Sequence, residues 1–253
     1  MFDFLKPSHN NPSSVCFSQP TALVLLDNQA AFAHPSPAGS PASSSRSNPL
    51  FEVNLTSLLA AFRVARETLA SSSSSLSSSL FGKGENRNGG GGEQQEHDKN
   101  RLEIIHIFHT SDNPGSPLHP QHPGKGHRPL DFARPILIDG EDTGERVVWK
   151  SVNSSPPIGA ELQTHLRQRG IKQLLFAGLT TDHSVSTTVR TAANLGVVEP
   201  GGRIVLVGDA TATWSRAGID AETVHAVSVA SLEGEFAEVV GTEDVVRALR
   251  RVK

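Results

Sequence analysis

The chain has 253 residues, 36% of them hydrophobic, and a formal net charge of −3. That size suits one α/β domain with a sizeable core, and the near-neutral balance leaves no basic footprint for nucleic acid or an anionic membrane surface. Its one cysteine, Cys16, excludes an intrachain disulfide and a thiolate metal cluster.

The opening Met1-Phe-Asp-Phe-Leu-Lys-Pro lacks the charged-then-apolar plan of a signal peptide, and no apolar run reaches membrane-span length. A cytoplasmic protein is expected. Residues 1–20 read as an irregular lead-in, and 21–253 as a single domain. Cys16 precedes the first strand and reads as a surface thiol.

Thr21 to Asp27 is an almost continuous apolar run ending in a carboxylate, the pattern of a strand buried on both faces of a parallel sheet. Ligands bind at the carboxyl ends of such strands, which places Asp27 where chemistry occurs; an Asp there can equally cap the next turn. His34 to Pro49 reads as a loop. Leu50 to Ala70 has helical spacing, with Asn48 or Asn54 available as a cap. Ser71 to Asn100, a serine run followed by Gly-Gly-Gly-Gly among polar residues, has too little apolar surface to offset ordering entropy and is expected to be a disordered insertion.

Leu102 to His109 is the second strand, followed by a long proline-broken loop. His109, His119, His122 and His127 are ligand types without fixed ligand spacing, so no metal is expected. His109, at a strand end, is a candidate for the pocket wall. Pro135 to Lys150 gives a turn and a short strand ending in Lys150, with Trp149 and Asn153 beside it. Gly159 to Arg169 is a helix stopped at Gly170. Leu174 to Ala177 is a strand broken by Gly178. Thr180, Thr181 and Asp182 can cap the helix that follows, so Ser184 lies in its first turn, where backbone N–H groups favour developing negative charge. Gly202 to Asp209 is a strand, Ala221 to Leu232 a helix, Phe236 to Val240 a strand and Glu243 to Arg251 a last helix, whose basic residues complement its C-terminal dipole. Alternating strands and helices indicate a doubly wound, mostly parallel α/β sheet with helices on both faces, a Rossmann-like arrangement.

Three segments carry a family resemblance: Asp27-Asn-Gln-Ala-Ala-Phe32, Lys150-Ser-Val-Asn-Ser, and Gly178-Leu-Thr-Thr-Asp-His-Ser-Val with Thr187 and Ala192. Together they resemble the isochorismatase-like cysteine hydrolases. That resemblance implies a Rossmann-like hydrolase fold, no cofactor, a small-molecule substrate and a homo-oligomer. It makes Asp27, Lys150 and residue 184 catalytic, with the backbone N–H groups of Thr180 and Ser184 as oxyanion hole across a cis peptide at Leu179–Thr180. The Asp-x-His metal site of the related nicotinamidases has no counterpart between Asp27 and Leu55. Asp209 matches the family's Asp-Ala and is expected to brace loops. Phe32, His109, Trp149, Asn153, Thr180, His183 and Trp214 lie near the motifs and are candidates for the substrate pocket.

The departure is at 184, a serine where the family normally has cysteine. In the family's chemistry the Asp takes the thiol proton, the Lys stabilises charge, and the thiolate attacks an amide-type carbonyl. A serine hydroxyl is a far weaker acid, and a loss on the order of 10⁴ in turnover is expected. Three functions stay open: C–N hydrolysis with an engineered or natural serine, vinyl ether hydrolysis with Asp27 as general acid, and ligand binding without turnover.

Overall fold

A computed structural model of the chain describes residues 15–33, 46–80, 102–137, 144–151, 160–198 and 201–252. Among these residues six strands form one sheet: β1 Thr21–Leu26, β2 Leu102–His109, β3 Arg146–Lys150, β4 Gln173–Leu179, β5 Arg203–Ala212 and β6 Glu238–Val240. Their order is β3-β2-β1-β4-β5-β6 and every pairing is parallel. Among the described residues five α-helices flank it: α1 Phe51–Leu80, α2 Ala160–Gln168, α3 Ser186–Asn194, α4 Ala221–Ala230 and α5 Thr242–Leu249.

The two central strands are buried at every position, so both of their faces need apolar side chains. Leu23 and Leu25 of β1 and Leu175 and Ala177 of β4 pack against Leu55, Leu58 and Phe62 of α1 and Val245 and Leu249 of α5. The alternate residues, Val24, Leu26, Leu174 and Phe176, meet Leu162 and Leu166 of α2, Val189 and Ala192 of α3 and Val229 of α4. This is the expected doubly wound sheet. The strand order reverses between β1 and β4, and the crevice this opens at their carboxyl ends is where such sheets take ligands. Among the described residues no helix is long and apolar enough to cross a membrane.

Four local expectations are corrected. Helix α1 runs past Ala70 into the serine run, where the Ser71 and Ser72 hydroxyls donate to the carbonyls of Glu67 and Thr68. These hydroxyls bond back along the helix instead of competing with it. The first part of the segment expected to be disordered is therefore helical, and residues 81–100 lie outside the described residues. Neither asparagine side chain caps α1. The Phe51 N–H bonds the Asn48 carbonyl, while the Asn48 and Asn54 amides both donate to the Asp209 carbonyl and tie α1 to β5.

Gly178 does not break β4; the strand passes through it to Leu179. Its φ is +119°, and a Cβ there would sit 2.2 Å from the Leu26 carbonyl oxygen. Glycine is needed because the β1 backbone crowds that position. Asp209 does not end its strand: β5 runs on to Ala212, and the pairing with β4 shifts register there. Its Oδ1 accepts from the Thr242 N–H and hydroxyl at 2.8 and 2.7 Å, which anchors the start of α5.

Candidate active site

Three segments converge at the crevice. Asp27 follows β1 directly and turns sharply, at φ +48°. Lys150 is the last residue of β3. Ser184 sits in the turn after β4. Their heavy atoms form a closed triangle: Lys150 Nζ lies 2.8 Å from Asp27 Oδ2 and 2.8 Å from Ser184 Oγ, and Ser184 Oγ lies 2.5 Å from Asp27 Oδ2. All three are buried, with Asp27 wholly out of solvent. Burial pushes the Asp27 carboxyl above its ordinary range, against the pull of Lys150 and the Ser184 hydroxyl. Burial also pushes the Lys150 ammonium down, against the pull of Asp27. The two groups are thereby brought closer in proton affinity than they would be in water. Asp27 Oδ1 is buried with no partner among the described residues.

The turn that presents Ser184 is not the expected capped α-helix. Thr181–Val185 forms one wide π-helical turn, with the Val185 N–H reaching back to the Thr180 carbonyl at 3.2 Å, and α3 continues from Ser186. π turns recur at functional sites. The peptide bond Leu179–Thr180 is cis. The side chains expected to cap the helix are used sideways. The Thr181 hydroxyl bonds buried His225 of α4 at 2.9 Å, and Asp182 accepts from the Thr213 hydroxyl and, at 2.7 Å, from Arg216. Burial would raise the Asp182 carboxyl, but Arg216 and Thr213 outweigh it and hold it low. The elbow is braced against α4 and the end of β5, not by its own first turn.

The Isochorismatase domain family matches residues 94–244. The chain belongs to the isochorismatase family. YrdC, an uncharacterised isochorismatase family protein of Bacillus subtilis (strain 168), is 36% identical over 148 residues, which is 56% of this chain and 72% of YrdC. Among solved structures, an isochorismatase-family protein from Chromobacterium violaceum ATCC 12472 is 29% identical with a TM-score of 0.65, covering 93% of this chain and 97% of that one. A cysteine hydrolase from Pseudomonas syringae pv. phaseolicola 1448A shares the fold at 19% identity and a TM-score of 0.61, over 96% and 95% of the two chains.

Around the triangle, the structure brings some of the sequence candidates of this isochorismatase-family chain together and not others. Thr180 is buried beside Ser184. Phe32 and His109 face each other with ring centroids 6.2 Å apart, and Trp214 donates to the Phe32 carbonyl, so these three form one wall. Burial lowers the His109 imidazole, which interacts with both Asp27 and Lys150. Trp149 is not in this wall. It neighbours Lys150 on a strand, so it points to the opposite face; there it packs on Phe108, half exposed. His183 is exposed, its ring 3.5 Å from Asp182 and from Arg216. Asn153 lies outside the described residues. His119 and His122 accept from the N–H groups of Gln121 and Gly124 and serve as turn braces, and the described residues contain no group of three potential metal ligands.

Sequence reading passed over Gln29 and His225. The buried Gln29 amide donates to the carbonyls of His109 and His127 and accepts from the His109 N–H, which fixes the loop after Asp27 to β2 and to the long loop. Its place in the Asp-x-Gln-x-x-Phe motif was the available signal. For His225 the sequence offered none, since its partner Thr181 is distant in the chain.

Proposed function

We propose that this protein is a hydrolase of C–N (amide-type) bonds in a small molecule, with Ser184 in the nucleophile position. The observation that carries the reading is the closed hydrogen-bonded triangle of Asp27, Lys150 and Ser184 in a buried crevice. A nucleophile within hydrogen-bond reach of a base, itself held by a third group, is the arrangement covalent catalysis requires. The Thr180 N–H has no acceptor among the described residues and, with the Ser184 N–H, is suited to hold the oxyanion. Phe32, His109 and Trp214 would form the substrate wall.

With cysteine at 184, Asp27 would take the thiol proton, and its raised carboxyl makes it a stronger base than an exposed aspartate. Lys150 would steady the thiolate. Serine makes the same route slow, on the order of 10⁴-fold. The test is Ser184→Cys assayed against a panel of primary and secondary amides and carbamoyl compounds. A gain of hydrolysis supports the reading. A folded Ser184→Cys protein that cleaves none of them overturns it.

The raised Asp27 carboxyl and its unpartnered Oδ1 favour a second reading, protonation of a vinyl ether by Asp27 as general acid. It predicts pyruvate release from isochorismate that disappears in Asp27→Asn; release that persists in that variant excludes it.

A further inference from the structure

The serine at 184 does not leave the site without a base suited to it. We infer that Ser184 is itself a working nucleophile toward carboxylic esters, with the Lys150 amine as its general base and Asp27 as the group that sets where the Lys150 proton resides. The inference rests on the acyl-transfer reading above and gives the chain with serine an activity that its cysteine counterpart would reach by another base.

Lys150 Nζ is 2.8 Å from Ser184 Oγ, as close as it is to Asp27 Oδ2. The three heavy atoms touch pairwise, so their positions accommodate two proton arrangements. In one, an ammonium faces a carboxylate. In the other the carboxyl is protonated, the amine is neutral, and the Ser184 hydroxyl donates to Nζ. The first is the resting arrangement, and the crevice brings the second within reach. Both partners are almost fully out of water, and an ion pair kept there is stabilised only by its own attraction and by the hydroxyl. A neutral amine held in hydrogen-bond contact with a serine hydroxyl is the arrangement of Ser–Lys hydrolases. Carboxylic esters fit it best: an ester has an alcohol as leaving group, so the attack exchanges one alkoxide for another and needs no prior protonation of nitrogen.

The step balances within the site. Ser184 Oγ bonds to the ester carbonyl carbon as its proton passes to Lys150 Nζ. The tetrahedral oxyanion collapses, the C–O bond to the alcohol breaks, and the ammonium returns the proton to the departing alkoxide. Water then attacks the acyl-serine, gives its proton to Nζ, and Ser184 Oγ leaves as the hydroxyl, releasing the acid.

The experiment uses the full chain with p-nitrophenyl acetate, following nitrophenolate release and acetyl-Ser184 by mass spectrometry of the quenched protein. The titratable groups facing Lys150 are Asp27 from the end of β1 and His109 from the end of β2. Ser184→Ala and the charge-balanced double variant Asp27→Asn with Lys150→Met should both lose acetylation, by at least roughly tenfold over the background of surface acylation. In Asp27→Asn alone the pH midpoint of acetylation should fall by about one unit or more, because the carboxylate that holds the proton on Lys150 is gone. Loss of acetylation in folded Asp27→Asn overturns the inference, since it makes Asp27 the base. Acetylation that survives in the folded double variant overturns it as well. A wild type that never acetylates, beside a Ser184→Cys variant that cleaves amides, overturns it and leaves the C–N hydrolase reading standing.

Discussion

Replacing Lys150 by Met tests whether the triangle is held by charge. Asp27 is fully buried, and among the described residues its ion-pair partner is Lys150 Nζ at 2.8 Å. At an effective dielectric of about 20, two unit charges that close attract by about 6 kcal/mol, a ceiling before desolvation is subtracted. Breaking one side of a buried pair costs about 3–5 kcal/mol, because the other charge is left out of water without compensation. Lys150→Met should therefore lose about 3–5 kcal/mol at pH 7, a large share of the ~5–15 kcal/mol that holds a typical domain together. The double variant with Asp27→Asn removes both charges and should recover most of that loss. The pH dependence has a definite sign. Without Lys150 the Asp27 carboxyl rises further, so the folded state binds its proton more tightly than the unfolded chain does. The penalty is absent below the unfolded carboxyl's range near 4 and grows as pH rises above it. Urea unfolding, followed by Trp149 and Trp214 fluorescence, should show the gap between Lys150→Met and wild type narrowing from pH 7 to pH 4.5. Single and double variants of equal stability at pH 7, or a gap that widens on acidification, would refute the account.

Other expectations follow from the same geometry. Gly178→Ala forces a Cβ to 2.2 Å from the Leu26 carbonyl, so β1 and β4 must separate, and a loss of more than about 3 kcal/mol or insoluble expression is expected, read by thermal melting. His225 is buried and held near a pKa of about 4, chiefly by desolvation. Its contribution is complete above the free imidazole's ~6.5 and is lost as pH falls toward 4; it is worth on the order of 3 kcal/mol, and His225→Asn should flatten the acid limb of the stability profile. Glu145 takes Arg63, the His106 ring and the Ile136 N–H; these outweigh the upward push of burial and hold it at about 2. Its contribution is present above ~4.5 and fades toward pH 2, so Glu145→Gln should cost about 2–3 kcal/mol at pH 7 and much less at pH 3, by chemical denaturation.

The strands were legible because a strand buried on both faces needs an unbroken apolar run, and Thr21–Leu26 and Gln173–Leu179 have one. Asp27, Lys150 and Ser184 were legible as motif positions. That they meet depends on the sheet order, which places the ends of β1 and β4 side by side and that of β3 nearby. What escaped the sequence is mostly long-range. Gly178 looked like a strand end because its reason, the Leu26 backbone, comes from another segment. Thr181 and Asp182 looked like caps because their partners His225, Thr213 and Arg216 are far along the chain. Trp149 is different: a residue next to Lys150 on a strand must point away from it, so the period of the strand already argued against its place in the pocket.

In the proposed chemistry, residue 184 decides which of its two neighbours can serve as base. A thiol ionises near 8.5, close enough to a carboxyl raised by burial for Asp27 to draw off its proton, and a nearby ammonium then stabilises the thiolate. For that nucleophile an ion-paired Lys150 is an asset. A serine hydroxyl gives up no proton to a carboxylate in the ground state, and the same ion pair would leave it with a weak base and a cation that cannot accept. What serves serine is an amine lowered in proton affinity and already in contact, and the burial that raises Asp27 also lowers Lys150. The dryness of the crevice therefore works for either nucleophile, through opposite partners. Substitution at 184 alone should exchange the bases, so the pH limb of acylation that follows Lys150 in the wild type should be replaced in Ser184→Cys by one that follows Asp27.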